Sequence, residues 1–201
     1  MKKQYSDTEI KIKNAAKYLF QKQGFSATTT RDIARDSKIN LALLNYHFTS
    51  KRKLFEIIML ESMYDFISKM VEVYNDEKST LEDKLKLTSS KYIDMIIAEP
   101  HLPSFVVNEL KNNPASILNI FKGQIMESKL VEQYNDGIKK GLYKKIDPIH
   151  FVTNILSLIV FPFISSPIII KMKKFNRKEF NEMMNERKKL IPEWIIQTIK
   201  K

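Results

Sequence analysis

Asn40, Asn45, Tyr46 and His47 stand within eight residues, and Ser50-Lys51-Arg52-Lys53 follows almost at once. A carboxamide donates and accepts together, which suits the paired donor and acceptor on the edge of adenine, and Asn45 is the candidate for that pairing. Leu41 and Ala42 have the size and apolarity to meet a thymine methyl group. The alternative for Leu41 and Leu43 is ordinary core packing. Lys51, Arg52 and Lys53 put cations at a helix start, where each opposes the helix dipole by ~0.3–1 kcal/mol when exposed. A phosphate seated on the free amides of that helix end would remove the conflict. Thr29, Thr30, Arg31, Tyr46 and His47 could reach the same polyanion, although a lone histidine is commonly just a polar surface residue.

Short helices must hold these groups. Thr29 followed by Asp32 is a capping pattern for a helix starting near Thr30. Ile33 and Ala34 give that helix a buried side. Ser37-Lys38-Ile39 breaks it, and Asn40 is a good N-cap for the next helix. Leu44 and Phe48 are four apart and anchor that second helix on one face, leaving Asn40, Leu41, Ala42, Asn45 and Tyr46 outward. Two short helices joined by a tight turn, the second offering its first residues, form the layout of a helix-turn-helix.

The stretch from Gly24 to Leu54 also resembles the tetracycline-repressor (TetR) family of bacterial transcription regulators. Thr28, Thr29, Asp32, Ile33, Ala34, Ile39, Leu44, Tyr46, His47, Phe48, Ser50, Lys51 and Leu54 carry the likeness in matching register, with Gly24-Phe25 at the usual end of the first helix. Three features depart from the pattern: Ser37-Lys38 where Ala-Gly is usual, Asn45 in place of a frequent aromatic, and the apolar Leu41-Ala42-Leu43. The resemblance marks Lys51 as a phosphate contact. It implies an all-α chain with a three-helix DNA-binding head (1–55) and a C-terminal ligand-binding and dimerisation body (56–201), about nine helices in all.

Charge agrees with this division. Residues 1–55 hold 12 Lys and Arg against 4 Asp and Glu, a net of +8 out of the chain's +11. A basic head attracts polyanions with salt-dependent affinity. Charge alone would also fit RNA or an anionic membrane; the motif selects duplex DNA. The chain has no cysteine, so disulfides and thiolate chemistry are excluded. Its three histidines, at 47, 101 and 150, are far apart, and no nucleophile elbow or phosphate-binding glycine loop occurs. An enzyme is not expected, nor a cofactor or metal. No signal peptide is read, so the expected location is cytoplasmic.

Beyond the head the sequence reads as helix. Expected segments are Lys51 to about Asp76, Thr80 to Ala98, a short helix after Pro103, one from Pro114 to about Gly141 containing Ile117, one opened by Pro148, and Arg177 to Lys200. Residues 151–170 are 20 residues without a charge. That length would serve a membrane span, but Pro162, Pro167 and several polar residues favour a buried helix, and no membrane partner is expected. The family resemblance implies a dimer interface made by the last two long helices. Its candidates are Phe151, Ile155, Leu158, Ile159, Phe163, Met183, Leu190 and Trp194; the alternative is intramolecular core. The resemblance also places an effector pocket among the middle helices. Tyr92, Met95, Ile96, Phe105, Phe121, Ile125 and Met126 would line it for a small hydrophobic molecule, although such a stripe is more commonly plain core. The expected partners are a duplex DNA operator, a second copy of the chain and such an effector. A purely architectural nucleic-acid binder is the competing class.

Overall fold

Ser6 starts the first helix with a reciprocal cap: its amide donates to Glu9 (2.9 Å) and its hydroxyl accepts from the Glu9 amide (3.3 Å). In this computed structural model residues 5–112, 114, 115, 118 and 121–201 are described, with the Phe121 side chain excepted. Helices α1 (Asp7–Ala27), α2 (Thr30–Ser37), α3 (Leu41–His47) and α4 (Lys51–Asn75) come first. Then come α5 (Leu81–Ala98), α6 (Leu102–Asn112), a π-helical turn (Phe121–Met126), α7 (Lys129–Lys139), α8 (Pro148–Ile164), α9 (Ser166–Lys173) and α10 (Arg177–Ile199). The chain is all-helical, with eleven helical segments among the described residues rather than about nine. An isolated antiparallel bridge joins Tyr143 to Lys200.

The chain divides into two compact units, 1–65 and 66–201, with α4 running through the division; the sequence reading put the division at 55. In the first unit, Ile12, Ala16 and Phe20 of α1, Ile33 of α2, Leu44 of α3 and Leu54 of α4 are buried together with Phe48. Phe20, Phe25 and Phe55 pack ring to ring with centroids 4.8–5.6 Å apart. Gly24 was expected to end α1. Instead it kinks it: φ is +84° there, a conformation that glycine adopts without a Cβ penalty, and helical turns resume as far as Ala27.

The second unit is built on α5, α8 and α10. Tyr134 of α7 is fully buried and stacks on Phe151 of α8 at 4.3 Å. Two breaks correct the sequence reading. The helix expected from Pro114 to Gly141 is interrupted at Glu127-Ser128, where the Ser128 hydroxyl donates to the Ile125 carbonyl (2.6 Å) and Ser128 becomes the N-cap of α7; Ile117 lies outside the described residues. The apolar run is broken at Ser165, whose hydroxyl donates to the Phe161 carbonyl (2.9 Å), so that α8 and α9 are bent by 61°. No single helix among the described residues is long and apolar enough to cross a membrane.

Candidate nucleic-acid interface

The helix-turn-helix is held by caps at each joint. The Thr29 hydroxyl donates to Asp32 (2.7 Å) and accepts from the Asp32 amide (3.1 Å), and Arg35 closes on the same carboxylate (2.8 Å). These donors hold the Asp32 carboxyl below the usual carboxylate range, the Thr29 hydroxyl foremost. The turn then does without the expected glycine. Lys38 takes the left-handed conformation (φ 58°), its amide donates to Arg35 O (3.2 Å), and the Ile39 amide donates back to Ala34 O (3.0 Å). That pair of bonds is a Schellman ending. Ser37 is buried, its hydroxyl satisfied by Ile33 O at 2.7 Å. Asn40 caps α3 by accepting from the Leu43 amide at 2.7 Å.

This frame leaves a polar and apolar face on α3. Asn40, Ala42, Asn45 and Tyr46 are exposed, Tyr46 at 81%. Leu43 joins them, and Leu41 is half-buried, as is Thr30; Thr29 and Arg31 are exposed. Thr29 and Asn40 have already committed side-chain acceptors to helix caps, so their part in the face is chiefly to set the two helices. His47 is half-buried, with Nδ1 4.0 Å from the Glu9 carboxylate and its ring edge-on to Tyr46.

Lys51 commits most of its ammonium inside the head. Nζ donates to Phe25 O and Thr28 O, both at 2.8 Å, and lies 4.2 Å from the Phe25 ring centroid. Carbonyls left bare at the kinked end of α1 draw the cation inward, leaving one of the ammonium's three donors. At the start of α4 the Ser50 hydroxyl accepts from the Lys53 amide (3.0 Å), while Glu56 pairs with Arg52 (3.1 Å) and Lys53 (3.7 Å) and offsets part of the charge conflict.

Residues 12–58, which span this frame, match the family described as bacterial regulatory proteins, tetR family. The chain is 28% identical to the HTH-type transcriptional regulator YttP of Bacillus subtilis over 166 residues, covering 81% of this chain and 80% of that one. Residues 12–58 are a TetR-family DNA-binding domain. A further relative is IcaR of Staphylococcus aureus, an HTH-type negative transcriptional regulator of a biofilm operon, 27% identical over 67% of this chain and 73% of its own length. Among solved structures, a TetR regulator from Haloarcula marismortui aligns over 98% of this chain and all of its own, with a TM-score of 0.66 at 16% identity. Bacillus subtilis FadR, solved with stearoyl-CoA, aligns over 94% and 98% with a TM-score of 0.60 at 20% identity. These two structures establish likeness of fold. With a TetR-family DNA-binding domain, the protein is a DNA-binding transcriptional regulator and not an enzyme.

In the second unit the expected interface residues separate into two sets. Phe151, Ile155, Ile159 and Phe163 are buried in the unit's own core, which corrects their assignment to a subunit interface. Helix α8 turns them toward α5 and α10, and side chains i and i+4 share a face. Leu158 and Met183 are half-buried, and Leu190 and Trp194 lie near the surface. Phe161, which the sequence reading missed, is 64% exposed. Its signal was its spacing: three from Leu158 and off the Ile155-Ile159-Phe163 face. Arg187 joins this side; it donates to the Leu158 carbonyl at 2.8 Å and lies 5.0 Å from the Trp194 ring.

The expected pocket residues are mostly packed. Ile96 and Phe105 are buried; Tyr92, Met95, Ile125 and Met126 are partly buried against the core. Tyr92 meets Phe66 edge-on at 4.3 Å, and burial pushes its phenol up to about 12. The Phe121 side chain lies outside the described residues. His101 is half-buried; burial first, then the Arg177 charge, holds its pKa below the ordinary value.

Proposed function

We propose that the protein is a homodimeric repressor that reads a two-fold symmetric operator in the cytoplasm. The capped α2–turn–α3 unit, with Ala42, Leu43, Asn45 and Tyr46 free on one face, is the observation that carries the reading. One seven-residue helix covers few base pairs, so tight selective binding needs two heads on half-sites about one helical turn apart or more. Leu158, Phe161, Met183, Leu190 and Trp194 on α8 and α10 are the contacts that join the copies. They leave apolar surface on the two helices that also frame the core. Thr29, Thr30, Arg31, Asn40, Leu41, His47 and Lys51 complete the site as supports or phosphate partners.

The body acts as the switch. The π-helical turn at Phe121–Met126 packs against α7 and α8 and carries Ile125 and Met126 partly buried on the core, and such turns are frequent at functional sites. An apolar or amphipathic molecule entering there would favour one spacing of the heads and release DNA. A long-chain acyl-CoA, the kind of ligand seen in FadR, is the first compound to try. The test is selection of duplexes from a randomised pool, sequenced after binding at moderate salt. An enriched inverted repeat, lost with Tyr46→Ala and weakened when Phe161→Glu makes the protein monomeric, supports the reading. Salt-sensitive binding without an enriched repeat overturns it in favour of an architectural binder.

A further inference from the structure

Helix α9 has no buried residue, yet it is rich in isoleucine. Ile169 and Ile170 rest partly against the core. Ile168, Lys171 and Met172 occupy the opposite face at spacings of three and four. Ile168 is 63% exposed and Met172 78%. Lys174 ends the helix in the left-handed conformation, and Lys173, Lys174, Arg177 and Lys178 are all exposed around that turn. From Pro148 to Lys178 there is no Asp or Glu, while five Lys and Arg fall between 171 and 178. Lys178 meets an acid only across the next turn, at Glu182 (3.8 Å).

Two exposed apolar side chains followed by a cluster of exposed cations suit a partner that is both apolar and anionic. A second copy of the same face would bring like charges together. An acidic protein would have to supply its own groove, since Ile168 and Met172 protrude from a helix. A bilayer with anionic headgroups offers both properties to such a helix: its apolar side enters the headgroup boundary and the basic side chains meet the phosphates. We propose that α9 and the cations after it are a docking surface for an anionic lipid bilayer, with Ile168 and Met172 inserted and Lys171, Lys173, Lys174, Arg177 and Lys178 on the lipid phosphates. This site is separate from the regulator's DNA-reading face, and the sequence reading expected no membrane partner.

The basic head would also draw the protein to anionic vesicles, so the test must report position. The chain has no cysteine, so Met172→Cys accepts a single environment-sensitive fluorophore, with Lys22→Cys as the control on α1. The full-length labelled proteins are titrated with vesicles of phosphatidylcholine alone or mixed equally with phosphatidylglycerol. The expected result is a blue shift and brightening at 172 with the anionic vesicles only, and none at 22. Adding Lys171→Ala, Lys173→Ala and Lys174→Ala should weaken the 172 response on the order of 100-fold, about fivefold per cation. An unchanged spectrum at 172, an equal response to neutral vesicles, or an equal response at 22 overturns the proposal. So does a 172 response that follows protein concentration without lipid, which assigns the face to a second copy, or one produced by a polyglutamate peptide alone, which assigns it to an acidic protein.

Discussion

Replacing Lys51 with methionine keeps the apolar stem and removes the ammonium. Two charge-assisted bonds of 2.8 Å to Phe25 O and Thr28 O are lost, with the contact to the Phe25 ring. Hydrogen bonds to charged groups contribute about 1.5–3 kcal/mol each, and the ring contact about 0.5–1 kcal/mol at exposed sites. Lys51 is only half-buried, so water can re-solvate the carbonyls, and the net loss should fall below the sum of these contributions, to about 2 kcal/mol. The assay pairs unfolding with DNA affinity measured across salt concentrations. If Lys51 were a phosphate contact, the slope of log affinity against log salt would fall by about 0.9 per half-site. If it clamps the end of α1 to the start of α4, the slope stays and the unfolding midpoint drops. A stable Lys51→Met protein with a reduced slope would refute the clamp.

Gly137→Ala should destabilise by ~1–3 kcal/mol in denaturant unfolding, because an added Cβ would sit 2.1 Å from the Tyr143 ring. Helix propensity alone gives the opposite sign, with alanine favoured by about 1 kcal/mol, so a stabilised variant would show that the ring moves aside freely. Lys38→Gly relieves a left-handed lysine and should raise unfolding stability by roughly 0.5–1 kcal/mol, reduced by glycine's larger unfolded-state entropy. No change would mean that the Schellman bonds fully offset the strain. Asp32 and Asp83 are held below the usual carboxylate range, chiefly by the hydroxyls of Thr29 and Thr80. Depressed folded-state values give stability that is complete above the unfolded pKa of about 3.9 and is lost as pH falls through the folded pKa. Asp32→Asn should therefore flatten that acid limb of the stability curve, and an unaltered limb would disprove the coupling.

The local chemistry of the head was legible in the sequence because its determinants lie three or four residues apart. Ser6 with Glu9, Thr29 with Asp32 and Asn40 with the Leu43 amide each close within one helical turn. The all-helical class followed from the same short-range periodicity, and so did the buried line Ile12, Ala16, Phe20. Breaks were harder to read. A serine hydroxyl bonding back to a carbonyl ends or bends a helix at Ser128 and Ser165, but serine elsewhere in a helix leaves no distinct sequence mark.

Long-range packing settled the remainder. Nothing in the sequence separates Lys84 from the exposed Lys86, yet the Lys84 side chain is buried and its ammonium holds the carbonyls of Asp76 and Ser79. Lys51 matched a motif by type and spacing, but the destination of its ammonium depends on where the kinked end of α1 leaves two carbonyls, 23 and 26 residues away. On α8, hydrophobicity identified an apolar helix without saying which side was already covered. Only the positions of α5 and α10 turn Ile155 and Ile159 inward and leave Phe161 out. A side chain's type fixes what it can bind within its reach; which groups come within that reach is decided by the packing of elements distant in the chain.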